Sequence, residues 1–199
     1  MAGLRSPPCL LAAALVALAA CSKAPAEPDA PAPAERSTSA PAVAPLHWDA
    51  PGAWAKLDVP SYGDKKAAYR VEAGSGADDA EATVFFHGTG AKGDPAASFK
   101  EWFAQFDGDV GASAVREHLH AKSLAVETVE VSGTYKIGLT PAPRGRKESP
   151  MQMVKKSYRL YGAVVKTPDR GNWFFKLVGP DEMVQRARSA FRAMVESAR

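Results

Sequence analysis

The chain has 199 residues, 46% of them hydrophobic and 24% charged, and its 25 basic and 22 acidic residues leave a formal net charge of +3. Because the two signs are interspersed, no concentrated basic face of the kind that phosphate backbones need is written into the sequence, and nucleic acid is excluded as a partner. The cysteines, Cys9 and Cys21, both precede the globular sequence, so its stability must come from packing without disulfides.

The first element is an export signal. A single charge, Arg5, precedes an apolar run from Cys9 to Ala20 that is too short to remain in a bilayer as a span. The run ends in Leu18-Ala19-Ala20-Cys21, which resembles the lipobox of bacterial lipoproteins. That resemblance implies cleavage before Cys21, a diacylglyceryl group on its thiol and acylation of the new amino terminus. With each buried methylene contributing ~0.8 kcal/mol, two or three chains hold a protein durably on a membrane. Ser22 follows, which by the sorting rule of Gram-negative lipoproteins resembles an outer-membrane address with the domain facing the periplasm.

Residues 21–45 are nearly all Ala, Pro, Ser, Thr, Glu or Asp, too poor in apolar side chains to offset chain entropy. Their prolines favour extended segments at ~3.1 Å per residue, which predicts a tether. The expected organisation is therefore a signal peptide at 1–20, a lipidated cysteine and tether at 21–45, and one globular domain at 46–199 with one core.

Within the domain, Trp48 and Trp54 flank the turn formers Asp49 to Gly52 and are expected to cover the edge of the core. Ala68 to Glu72 and Ala82 to His87 read as strands. Phe99, Trp102, Phe103 and Phe106 fall on one face of a helix, with Ser98 and Glu101 spaced as a capping box and Pro95 as an alternative start one turn earlier. Ala114 to Lys122 is expected to add a short helical turn. Leu124 to Val131 and Tyr135 to Leu139 are predicted as a hairpin about Ser132-Gly133, and residues 141–156 as a basic loop. Tyr158 to Lys166 and Trp173 to Val178 form a further hairpin. The chain ends in an amphipathic helix opened by Pro180, Asp181 and Glu182, with Met183, Val184, Ala187, Phe191, Met194 and Val195 on its apolar face.

Several stretches together resemble an uncharacterised family of exported bacterial lipoproteins with a PsbP-like fold. They are Ala80 to Phe86, the loop Gly88-x-Gly-x-Lys-Gly-Asp94, Trp102-Phe103-x-Gln105-Phe106, Thr128-Val129-x-Val131-x-Gly133-x-Tyr135, Tyr161-Gly162-Ala163, Trp173 to Leu177 with Gly179-Pro180, and Phe191. The resemblance implies an α+β domain, an antiparallel sheet flanked by helices as an α/β/α sandwich, and implies no particular chemistry.

Two constellations are candidate sites. Gly88, Gly90 and Gly93 spell Gly-x-Gly-x-x-Gly between a strand and a helix, and with His87, Lys92 and Asp94 they make the weak ligand-binding candidates. The helix would open after the third glycine, so its N-terminus would not face a pyrophosphate, and Asp94 stands where a Walker motif needs Lys. His118 and His120, with Met151 and Met153, offer the imidazole and thioether ligands that suit copper. The two histidines share a face only if extended. No nucleophile elbow or paired-carboxylate signature appears. The expected function is thus a non-enzymatic binding or interaction domain, anchored to membrane through Cys21, contacting an envelope protein or small ligand and using no cofactor. The alternatives are a copper-type carrier, or a small-molecule- or nucleotide-binding enzyme using the loop from Gly88 to Asp94. A pocket beside that loop, and the polar groups converging in it, would separate these readings.

Overall fold

The structure is a computed structural model that describes residues 45–199, apart from residues 75, 91–92, 141–143, 146–148 and 169. The signal peptide, Cys21, all of the tether but Pro45, and Lys92 of the glycine loop lie outside the described residues. No helix among the described residues is long and apolar enough to cross a membrane.

Seven strands form one antiparallel sheet: β1 (Ala55–Leu57), β2 (Lys65–Val71), β3 (Ala80–Phe86), β4 (Val115–Ala121), β5 (Leu124–Gly138), β6 (Gln152–Thr167) and β7 (Gly171–Pro180), in the order β1-β2-β3-β7-β6-β5-β4. The helices are α1 (Pro95–Phe103) and the long C-terminal α2 (Asp181–Glu196). The fold class is α+β. Consecutive strands pair as hairpins except once, since β3 adjoins β7 while the chain after β3 must reach β4 at the far edge. That connection carries α1 across β7, β6 and β5, and so decides which part of the sheet it covers.

Strand alternation sends side chains to both sides, and both are buried. Tyr161, Ala163 and Val165 of β6 join Phe175 and Leu177 of β7 against Met183, Val184, Phe191 and Met194 of α2. Leu160 and Val164, from the same strand, join Phe174 and Val129 against Phe99 and Trp102 of α1. The single expected core is therefore two layers, one on each face, and the tyrosines, phenylalanines and valines of β6 and β7 serve both. Trp48 closes the α2 layer, tilted against Trp173 at 5.9 Å and edge-on to Phe175 at 5.6 Å, with its indole N–H on the Tyr69 hydroxyl (3.1 Å).

Residues 47–49 and 197–199 meet there. His47 and Arg199 exchange two backbone hydrogen bonds of 3.0 Å, the Asp49 N–H donates to Ser197 Oγ (2.8 Å), and the Arg199 guanidinium forks onto the Asp49 carboxylate at 3.0 and 3.1 Å.

Four expectations are corrected. Residues 115–121 form an edge strand and not a helical turn, because Leu119 packs against the α2 layer and Ala121 is buried in it while His118 and His120 face out. Ser132-Gly133 is no turn: β5 runs through it, with a register shift between Gly133 and Tyr135. Phe106 and Val110 pack over Gly133, within 3.6 and 3.7 Å of where a Cβ would be, which places the residue inside the α1 layer. Helix α1 starts at Pro95, capped by the Asp94 carboxylate, so Ser98 is a buried interior residue with no capping role, and Phe106 lies beyond the helix in a bridge to Tyr135. The basic stretch is shorter than expected, since β6 begins at Gln152 and pairs with β5 as far as Gly138.

Candidate functional site

A cleft of about 860 Å³ lies between α1 and the far sheet edge, within the size range of small-molecule sites. Three strands supply it in register. Arg116 on β4 pairs with Val129 on β5, Glu127 on β5 with Val164 on β6, and Lys166 on β6 with Ala125. Side chains two apart share a face, so Arg116, Glu127 and Lys166 all rise toward α1. The Glu127 carboxylate takes Arg116 on one oxygen (3.5 Å) and Lys166 on the other (3.1 Å). The Arg116 guanidinium also stands 5.5 Å from the ring centre of Phe99 and 5.8 Å from that of Phe103, two cation–π contacts. An aromatic floor carrying two cations held by one carboxylate suits a ligand with a flat apolar body and a negative group. Lys100 lines the mouth.

Beside the glycine loop is a second hollow of about 470 Å³, which shares Lys166 and adds Thr89, Thr167 and Asn172. The loop itself is held by its own backbone and by the β6–β7 turn. The Gly93 N–H donates to the Gly90 carbonyl (2.9 Å), and Asn172 Nδ2 donates to the Gly93 carbonyl (2.8 Å). The Gly88 carbonyl lies so close to Gly171 that a Cβ there would meet it at 2.8 Å, and both glycines adopt positive φ, +84° each. These glycines serve turns and close approach. Asp94 occupies the N-terminus of α1 with its own carboxylate, accepting from Ala97 N at 3.0 Å and Ala96 N at 3.4 Å, which is where a phosphate would have to sit. His87 turns away from the cleft: Nδ1 is 2.9 Å from Asp64 Oδ2, and the ring stacks on Phe85 and lies tilted against Phe174.

His118 and His120 do share a face, exposed on the edge strand. Their proposed partners are out of reach, however. His118 lies opposite Glu127 of β5 and Met153 opposite Ile137, ten residues further along the same strand, which is roughly 33 Å. Among the described residues no three His, Cys, Asp or Glu side chains converge as a metal group. The structure thus does not bring the two histidines and the two methionines together.

The sequence reading missed Arg116, Glu127 and Lys166; Phe103, partly buried against the α1 layer, also lines the cleft. It also missed Lys176. That lysine is 8% exposed, donates to Gln105 Oε1 (2.6 Å) and Tyr135 OH (3.3 Å), and is pushed down to about 8 by burial. Tyr135 is pushed up to about 12 by burial, and Tyr158 to about 12 by burial and its bond to Asp78.

No protein-family model matches this chain, and a search of curated proteins finds no match. Among solved structures, it is similar to the solution structure of cyanobacterial PsbP from Synechocystis sp. PCC 6803, with 10% identity, a TM-score of 0.43, and coverage of 77% of this chain and 85% of that one.

Proposed function

We propose that the protein is a lipid-anchored lipoprotein of the bacterial envelope whose domain at 46–199 is a non-enzymatic binding module. In this reading Cys21 carries the lipid, residues 21–45 space the domain from the outer membrane, and the domain works in the periplasm through the α1 cleft. The observation that carries the binding role is Glu127 between Arg116 and Lys166 above Phe99 and Phe103. Each of these charges is engaged in holding another, an arrangement that supports recognition of shape and charge in preference to proton transfer. The anchor rests on the sequence Leu18 to Cys21.

Two measurements test the reading. Palmitate labelling of the full chain should mark the wild type and not Cys21→Ser, and the variant should leave the membrane fraction; unchanged partitioning removes the anchor. A photo-crosslinking residue at position 100, at the cleft mouth, should capture a defined molecule that the same probe at position 56 on β1 does not, and Arg116→Ala should abolish the capture. Equal labelling from both positions removes the cleft from the account.

A further inference from the structure

We propose that a second hollow, over Lys176 on the half of the sheet that α1 leaves uncovered, is a binding site for a small organic monocarboxylate. Its volume is about 320 Å³, and it is separate from the α1 cleft, so it stands or falls independently of the function proposed above. The chain sets its boundary just past α1. Gln105 and Phe106 drop onto β5, where the Lys136 N–H donates to the Gln105 carbonyl (2.7 Å), and beyond them the hollow lies over Thr83 and Phe85 of β3.

The amine at the bottom lacks a counter-ion. Among the described residues no carboxylate lies within 4 Å of Lys176 Nζ; it has only the neutral Gln105 and Tyr135 oxygens and the Tyr135 ring face, 5.6 Å away. A buried charge without an opposite partner is costly, and neutral dipoles and a ring quadrupole offset only part of that cost. Of the acids lining the hollow, Glu81 acts on Lys176 only from beyond that distance and is itself paired with Lys65 at 3.3 Å. An anion entering the hollow would supply the missing charge.

The walls state what else that anion carries. Phe85, Ile137 and Val178 present apolar surface, and the Tyr135 and Tyr158 rings lie parallel, 5.8 Å apart. Asp78 pins the outer wall, accepting from Lys155 Nζ (2.7 Å) and from the Tyr158 hydroxyl (2.9 Å). The body of the ligand is therefore apolar and about one ring in size. Its charge is single, because the Glu81 and Asp79 carboxylates also line the hollow and repel a second negative group.

The test is calorimetric titration of the full chain in detergent with benzoate and hexanoate, against neutral benzamide and dianionic terephthalate. Binding of a monocarboxylate, with neutral and dianionic compounds weaker by on the order of tenfold or more, is expected, as is its loss in Lys176→Met. No heat with either monocarboxylate, equal binding of benzamide, or undiminished binding by the variant overturns the site. A measurement without a variant guards against misfolding: acetylation mapped by mass spectrometry should be slowed by the bound monocarboxylate at Lys176 and not at the exposed Lys56. Absence of that protection also overturns it.

Discussion

The indole of Trp102 lies directly on the backbone of Gly162: a Cβ there would overlap Cζ3, stand 2.7 Å from Cε3 and reach Val129 Cγ2 at 3.2 Å. This close approach is what lets α1 sit down on β6, with Trp102 edge-on to Phe174 at 6.4 Å beneath it. Gly162→Ala should therefore lift α1 and cost about 1–3 kcal/mol by overpacking. Thermal melts should fall by several degrees, and Trp102→Leu in the same chain should recover part of the loss. A melt at the wild-type temperature would show that the indole is free to move aside.

Glu130 is the hinge of the opposite interface. It is 9% exposed and accepts from Arg159 Nη1 at 2.5 Å and Arg188 Nε at 3.2 Å, while Arg188 and Arg192 share Glu117 at 3.2 and 3.3 Å and Arg159 reaches Asp181. Glu130→Ala removes the carboxylate that Arg159 and Arg188 share, and should cost about 3 kcal/mol, the low end for a broken buried pair because Arg159 keeps Asp181 and Arg188 keeps Glu117 and is partly solvated. Urea unfolding should show the midpoint falling at constant slope. If Glu130→Gln matches the wild type, the pairing is a matter of shape and not of charge.

Burial of Lys176 makes stability depend on alkaline pH in two opposed windows. Its folded-state value of about 8 lies below the ordinary 10.5, so the unfolded chain binds the extra proton between these values and stability rises with pH across them, by up to about 3 kcal/mol. Tyr135 and Tyr158 are raised from 10.0 to about 12, so their contribution is whole below pH 10 and is lost as pH climbs toward 12. Unfolding free energy should thus increase from pH 8 to 10 and then decline, and Lys176→Met should flatten the rise. At the acid end, the hydrogen bond from Arg159 holds Asp181 below its ordinary 3.8, so its contribution is present above that value and disappears as pH falls through the lowered one.

Asp94 is bound to its structural task at the start of α1. Asp94→Ala should cost about 1 kcal/mol, and Asp94→Asn much less, because asparagine caps nearly as well. Equal stability of Asp94→Ala and the wild type in chemical denaturation would mean that solvent caps the helix as effectively.

Local patterns carried much of the fold. Apolar spacing from Met183 to Val195 located α2, and alternation located β2, β3 and the β6–β7 hairpin. What failed was the reading of residues whose role comes from elsewhere in the chain. Gly133 looks like a turn until Phe106 and Val110 are packed onto it, and β4 has only Val115 as a β-branched residue, so its alternation was too faint to outweigh a helical reading. The cleft was illegible for the same reason. Arg116, Glu127 and Lys166 come together through strand register alone, and nothing in their spacing along the chain announces it. Lys176 was hidden inside an aromatic strand whose neighbours all read as core.

The mutual hold of His47 and Arg199 has a topological consequence. Because backbone groups at His47 and Arg199 bond each other, the segment between them takes up, in any longer polypeptide, the footprint of a single loop, and can be grafted as a guest into a host protein. A few-residue bridge from Arg199 back to Leu46, with new termini opened at the Lys122-Ser123 turn, would yield a circular permutant that severs one hairpin and keeps every pair of neighbouring strands.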